Sequence, residues 1–505
     1  MIKLLFIILL LIHLNVNEIF GKFNRKKILI NGRSLYGLRY LKNNNKNEFN
    51  NKKITRNSIE NLFDQKINHF NSNDKNTFKQ RFWYSNKWYV DGGPIFLMIG
   101  DSTSDSNEWI ENEDSEWMKL AKENHAMVFL LEHRYYGASL PVKNMSTDNM
   151  ILLSSRQAIE DVGYFIKSIN QINNYSNNTK WIVFGGSYSG ALAAWARQLH
   201  PELIYGAISS SGTIQAVVDF YQYLDVVKNS LSSYSSECAN DLKKGLYEVR
   251  ELLKTPSGQD KITKLFNLCD KWSTLSDDDK GYFWQSIFIN YMEVVQYNLN
   301  NFGSYRDSLT IKNLCSYHLD NSSTSLEHLG NVYNWFEQQF GDFCTETSYE
   351  MYIDFLKEIN FGEDYSDTRA WVWQTCTEFG FFQSTDNDAK NFWGNVIDIN
   401  WYVKQCTDIF GDKLTNSTVY LGIHGTNTFY GGINNFKGTR VILLNGSIDP
   451  WHVLGILKKT NSQIYPILMN GTAHCADMYP EADDDLPSLI NGRKQIKEIL
   501  NNWLQ

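Results

Sequence analysis

Ser187 stands inside Gly185-Gly186-Ser187-Tyr188-Ser189-Gly190. The four residues before this knot, Trp181-Ile182-Val183-Phe184, read as a buried strand, and the alanine-rich run from Ala191 to Arg197 reads as a helix. A serine lifted clear of a strand-to-helix turn is suited to attack an acyl carbon once a base takes its proton. The same turn aims the backbone N–H of Tyr188 at a developing oxyanion from the positive end of a helix. Ser189 stands two after the serine, where such turns usually carry a second glycine, and it is small enough to take that place.

A base and an acid come late in the chain. An apolar run at 441–444 leads into Asn445-Gly446-Ser447-Ile448-Asp449-Pro450-Trp451, which puts Asp449 just past the end of a strand. A shorter run at 464–468 leads into Met469-Asn470-Gly471-Thr472-Ala473-His474-Cys475. The order Ser187, Asp449, His474 is that of α/β-hydrolases. In such a triad His474 takes the proton of Ser187 and returns it to the leaving group, while Asp449 fixes the imidazole tautomer and stabilises its cation. Asp449 before Pro450 also suits a plain helix cap. Of the ten histidines, His452 is the nearest rival, but it sits three residues past Asp449 in what reads as a helix.

These groups need a sheet to hold them. Segments 80–84, 94–99 and 126–131 read as strands and 155–172 as a helix, so strands and helices alternate as in a parallel α/β sheet. From about 220 to 410 the chain is aromatic-rich and helical and holds six of the seven cysteines. The expectation is an α/β-hydrolase with a helical cap inserted between nucleophile and acid: 59–219 and 411–505 form the hydrolase part and 220–410 the cap. A separate C-terminal domain would leave the last strand with no sheet to join. Residues 1–21, with Lys3 and the apolar run 4–14, read as a cleaved signal peptide too short to span a bilayer, an uncleaved anchor being the alternative. The Asn- and Lys-rich stretch 22–58 reads as a disordered lead-in or pro-segment.

The 505 residues, 42% hydrophobic, suffice for a large core, and a net charge of -8 gives no reason to expect a nucleic-acid partner. The cysteines (Cys238, Cys269, Cys315, Cys344, Cys376, Cys406, Cys475) suit disulfides in an oxidising compartment, and with no C-x-x-C pair neither zinc nor another cofactor is expected. Sequons at Asn144, Asn174, Asn177, Asn321 and Asn416 offer glycan sites, while those at Asn445 and Asn470 adjoin the candidate triad and are poor acceptors.

Five stretches together resemble the lysosomal Pro-Xaa carboxypeptidase family of serine peptidases, which includes dipeptidyl peptidase II and the thymus-specific serine protease. They are the serine turn, Glu132-His133-Arg134-Tyr135-Tyr136-Gly137, Gln374-Thr375-Cys376-Thr377-Glu378-Phe379-Gly380, the Asp449 segment and Ala473-His474-Cys475. The thymus-specific branch is the nearest in pattern. The resemblance implies exopeptidase activity, often after proline, on peptide substrates in a secreted or lysosomal setting. It also implies disulfides Cys238–Cys315, Cys269–Cys344 and Cys376–Cys406, with Cys475 left unpaired as a small buried residue. Glu378 and Trp373, with Trp371 and Phe379, are expected near a proline pocket, ordinary core packing being the alternative. The oxyanion donors are expected at Tyr188 and Asp101, the latter in Gly100-Asp101-Ser102-Thr103, where relatives carry glycines and a glutamate. That departure leads to an expectation of weaker activity and a bias toward C-terminal trimming, or else of a simple Asx turn. Membrane insertion after signal cleavage is not expected, and a homodimer stays open. A carboxylester or lipid hydrolase on the same fold is the second functional class, and a silent binding protein the third.

Overall fold

The computed structural model describes residues 58–505 apart from 104–106, 177, 301–306, 339–343, 363–364 and 387–391, together with the short backbone pair Leu29–Ile30 and Arg33–Ser34. The expected signal peptide, nearly all of the lead-in and Asn177 lie outside the described residues. The strands are β1 (Ile59–Lys66), β2 (Thr77–Ser85), β3 (Ile95–Ile99), β4 (Met127–Leu131), β5 (Trp181–Gly186), β6 (Gly206–Ser210), β7 (Val217–Asp219), β8 (Gly380–Phe382), β9 (Val441–Gly446) and β10 (Ile464–Met469). Eight of them form one sheet in the order β10-β9-β6-β5-β3-β4-β2-β1. β1 and β2 pair antiparallel, as do β2 and β4, and every other neighbouring pair is parallel.

The helices that matter here are α1 (Glu116–Glu123), α2 (Ser155–Ile172), α3 (Tyr188–Leu199), α4 (Gln222–Tyr234), α5 (Ser236–Leu252), α6 (Asp277–Gln296), α7 (Ile311–His318), α8 (Ser325–Gln338), α9 (Tyr365–Gln374), α10 (Ile399–Phe410), α11 (Asn416–Tyr430) and α12 (Pro487–Leu504). A π turn, Thr375–Phe379, follows α9 directly.

β3, β4, β5, β6 and β9 are buried along their whole length. That explains their unbroken apolar runs, since a parallel sheet is covered on both faces. Alternate residues serve different cores. Leu97, Phe129, Trp181 and Val183 pack with α2, α3 and the helical stretch, while Phe96, Leu130, Ile182, Phe184, Ile442 and Leu444 pack against α1 and α12. Between β6 and β9 the chain leaves the sheet for α4 to α11, interrupted by a short parallel pairing of β7 with β8 that periodicity had not marked. Disulfides join Cys238 to Cys315, Cys269 to Cys344 and Cys376 to Cys406, all within this stretch. The result is an α/β-hydrolase sheet with a disulfide-containing helical insertion between the serine turn and β9.

Candidate active site

β5 ends at Gly186 and α3 begins at Tyr188, so Ser187 alone makes the turn, with φ 59° and ψ −127°. Such backbone is strained for any residue with a Cβ and persists only where the surroundings hold it. Here the Ser187 N–H donates to the Ser210 carbonyl at 2.9 Å. Ser189 Oγ accepts from the Gly186 N–H at 3.0 Å and donates to the Gly186 carbonyl at 2.8 Å. A serine in place of the usual glycine therefore closes the turn rather than loosening it. Gly185 and Gly190 have no such freedom: a Cβ would stand 2.0 Å from the Ser189 carbonyl oxygen at the first and 2.7 Å from that of Ser210 at the second.

Asp449 lies beyond the end of β9 and is wholly buried. Its Oδ1 accepts from the Trp451 N–H at 3.0 Å, and its Oδ2 accepts from His474 Nδ1 at 2.9 Å. The two loops are also joined through the backbone, Ile448 N–H to the Thr472 carbonyl at 3.2 Å. Burial by itself works against an imidazolium, but the Asp449 carboxylate outweighs it and holds the His474 pKa well above the ordinary value. His452 turns Nδ1 back to the Asp449 carbonyl at 2.6 Å and does not line the cavity that Ser187 and His474 share. Part of that cavity's wall is a run of packed rings, Trp371 on Phe381 at 6.4 Å and Phe381 on Trp451 at 5.1 Å. The stacked pair Trp109 and Tyr479, 5.9 Å apart, also lines it.

The motifs at 132–137 and 374–380 meet around the side chain of Tyr188. His133 Nδ1–H donates to the Arg134 carbonyl at 2.7 Å, which leaves Nε2 to accept from the Tyr188 hydroxyl at 3.1 Å. Burial pushes the His133 pKa down to about 4, consistent with a neutral ring in that role. Gln374 Oε1 accepts from the Tyr136 hydroxyl at 2.6 Å, so its amide nitrogen donates to Tyr188 at 2.8 Å. Every polar atom in this buried set is matched, which fixes the first residue of α3 and hence its N–H. Arg134 anchors the motif from below through a two-pronged pairing with Asp161, both contacts at 2.6 Å.

The remaining expected residues fall in different places. Asp101 lines the cavity, yet its Oδ1 accepts from the Ser189 N–H at 3.2 Å, so this carboxylate serves the N-terminal turn of α3. Glu378 is buried away from the cavity: it accepts from the Ser155 N–H at 2.9 Å and from Ser155 Oγ at 2.7 Å, at the start of α2. Trp373 likewise points elsewhere, donating to the Leu153 carbonyl at 3.2 Å and packing on Phe410 at 5.2 Å. The expectation that these two wall the pocket is corrected, because Glu378 turns to the start of α2 and Trp373, on α9, turns to Leu153 and Phe410. Phe379 packs behind Tyr188 at 5.3 Å, and of the named aromatics only Trp371 reaches the cavity. Sequence reasoning missed Gln296, Tyr297 and Phe381; Gly380-Phe381 carried the one usable signal, a glycine admitting the positive φ of 73° that begins β8.

Cys475 is unpaired, buried and cavity-lining, and burial raises its thiol pKa. Asn174, Asn321 and Asn416 are exposed, whereas Asn144 is half-buried and accepts from the Ser146 N–H at 3.1 Å. Asp241, His318 and His328 form a grouping with metal-binding donors. Both imidazole Nδ1 atoms lie 2.8 Å from the same Asp241 oxygen, hydrogen-bond contacts tighter than the roughly 3.3 Å edges of a zinc tetrahedron. The trio reads as a clamp among α5, α7 and α8.

Residues 65–496 match the family model described as Serine carboxypeptidase S28. A putative serine protease of Caenorhabditis elegans is 44% identical over 455 residues, covering 89% of this chain and 88% of that protein. The thymus-specific serine protease of Homo sapiens is 31% identical over 88% of this chain and 86% of its own length. The lysosomal Pro-X carboxypeptidase of Mus musculus is 26% identical over 88% of each. With a strand-turn-helix serine, a buried Asp–His pair in the matching order and a family match across most of its length, the chain belongs to the serine carboxypeptidase S28 family of serine-type peptidases.

Proposed function

We propose that this serine peptidase is an exopeptidase of the secretory pathway that works through an acyl-enzyme on Ser187. His474, its Nδ1 proton donated to Asp449, takes the Ser187 proton at Nε2 as the hydroxyl oxygen bonds to the peptide carbonyl carbon. The negative oxygen that forms is met by the Tyr188 N–H and by an N–H of the Asp101 loop. His474 then passes the proton to the leaving amine, and a water repeats the sequence to free the acyl group. The observation that carries this reading is the 2.9 Å Asp449–His474 pair opening, with the positive-φ Ser187, onto one cavity.

The insertion between β6 and β9 acts as a cap (220–410) that leaves room for chain ends. The Trp371, Phe381 and Trp451 rings favour a flat apolar residue such as proline before the scissile bond, in keeping with relatives named Pro-X carboxypeptidase. Three disulfides fit an oxidising compartment, the N-terminal apolar run fits a cleaved signal, and among the described residues no helix is long and apolar enough to cross a membrane.

Mass spectrometry of a mixed peptide library, digested at acidic and neutral pH, tests the reading. The expected products lack one or two residues from one end and are enriched in proline before the cut. Ser187→Ala should retain its fold and lose ~10³-fold or more of the activity. Cleavage mainly inside peptides, or activity surviving in that variant, would overturn it.

A further inference from the structure

The catalytic histidine is not held by the hydrolase sheet alone. The His474 N–H donates to the backbone carbonyl of Gln296 at 2.9 Å. Gln296 is the last residue of α6, whose final carbonyls have no partner within the helix and must find one elsewhere. Its side chain reaches the other catalytic loop: Oε1 accepts from the indole N–H of Trp451, two residues past Asp449, at 3.0 Å. The same oxygen accepts from the hydroxyl of Tyr223 on α4. Gln296 is 1% exposed and lines the cavity shared by Ser187 and His474.

From this geometry we infer that Gln296 is a positioning residue for the triad, so that the helical insertion is part of the catalytic apparatus and not only a cover. One residue bonds both loops, the base loop by its main chain and the acid loop by its side chain. Their spacing sets the Asp449–His474 contact, and two buried donors would be stranded if the Gln296 amide were lost. The C-terminal end of α6 also brings its partial negative charge to His474, where the imidazolium forms during attack. Both effects act on the loops that carry Asp449 and His474, so the loss falls on the chemical step, and the freed Trp451 ring in the cavity wall adds any change in KM.

This inference rests on the serine-peptidase reading, and the experiment separates the two. Wild type, Gln296→Leu, Tyr223→Phe and the double variant are compared by steady-state kinetics on a chain-end peptide and by the rate of fluorophosphonate labelling of Ser187. Circular dichroism checks the fold of each. Gln296→Leu should lower kcat and the labelling rate together, on the order of ten- to a hundredfold, whatever shift in KM the freed Trp451 ring brings. Tyr223 lies off the cavity. Tyr223→Phe should give a smaller loss of the same kind, and in the double variant it should cost less than it does alone, because the acceptor is already gone. If Gln296→Leu does not fold, Tyr223→Phe carries the test by itself. Wild-type rates in the folded variants, or an effect confined to KM, would overturn the positioning role. Failure of the wild type to label would overturn the peptidase reading and this inference with it.

Discussion

Both oxygens of the Asp449 carboxylate are engaged, one by the backbone of its own loop and one by His474 Nδ1. An amide at this position would turn either the wrong atom or the wrong charge toward the ring. Asp449→Asn is therefore expected to keep the fold, since the shape is unchanged, and to lose ~10⁴-fold in kcat as the imidazole adopts the unproductive tautomer. Labelling of Ser187 by a fluorophosphonate should slow in parallel. A variant within tenfold of wild type on both measures would mean that another group orients His474. At this scale the turn also explains its own composition. Ser189 supplies two hydrogen bonds to Gly186 that a glycine could not, while Gly185 and Gly190 stay bare because two backbone carbonyls occupy their Cβ positions.

Among the elements, α2 has an unusual N-terminus. Ser154 accepts from the Gln157 N–H in the ordinary capping manner, and the buried carboxylate of Glu378, from the π turn after α9, takes the Ser155 N–H and hydroxyl. A carboxylate there answers unpaired N–H groups and the positive end of the helix dipole at once. Burial nonetheless raises the Glu378 pKa. Glu378→Gln places one amide NH₂ where an oxygen accepted, and an unmet buried donor costs about 1–3 kcal/mol. The expected outcome is a lower Tm, with the ratio of cleavage after proline to cleavage after lysine unchanged, because Glu378 does not line the cavity. A changed ratio at unchanged Tm would return Glu378 to the substrate pocket.

Across the whole molecule, one group through which pH acts on stability is Glu116, buried on α1 on the far side of the sheet from the insertion. Burial raises its pKa from 4.5 to about 7, against the opposing pull of Arg493 and Lys119 and with Glu481 and Asp477 adding to the rise. The folded chain then holds a proton that the unfolded chain releases between those values. The stability this proton contributes is complete at low pH and is lost as pH climbs through the folded pKa, by up to about 3 kcal/mol. Glu116→Gln removes this one contribution. The Tm of the variant minus that of wild type should grow from pH 5 to pH 8, and a difference flat across that range would exclude Glu116 as the cause. His133, pushed down to about 4 by burial, works in the opposite direction as pH falls, which is why the paired comparison is the useful one.

The sequence alone determined the sheet and singled out the candidate triad, because both are written in local terms. Apolar runs of strand length, a turn of small residues around Ser187, and an aspartate and a histidine each following a strand are signals that each span only a few residues of the chain. The family motifs at 132–137 and 374–380 were equally visible, and so were the six cysteines that pair. What those motifs do was decided only by tertiary structure. Glu378 and Trp373 read as pocket residues from the motif at 374–380 and its neighbourhood, but the direction of each side chain depends on what packs beside it, here the start of α2 for Glu378 on the π turn and Leu153 and Phe410 for Trp373 on α9. Gln296 carried no signal at all, since it lies 178 positions before His474 in a helix that is buried on nearly every side from Gly281 onward, so no face of it stands out. Only the packing of α6 against the two catalytic loops gives its carbonyl and its amide oxygen their partners, and no local pattern encodes a contact made over that separation.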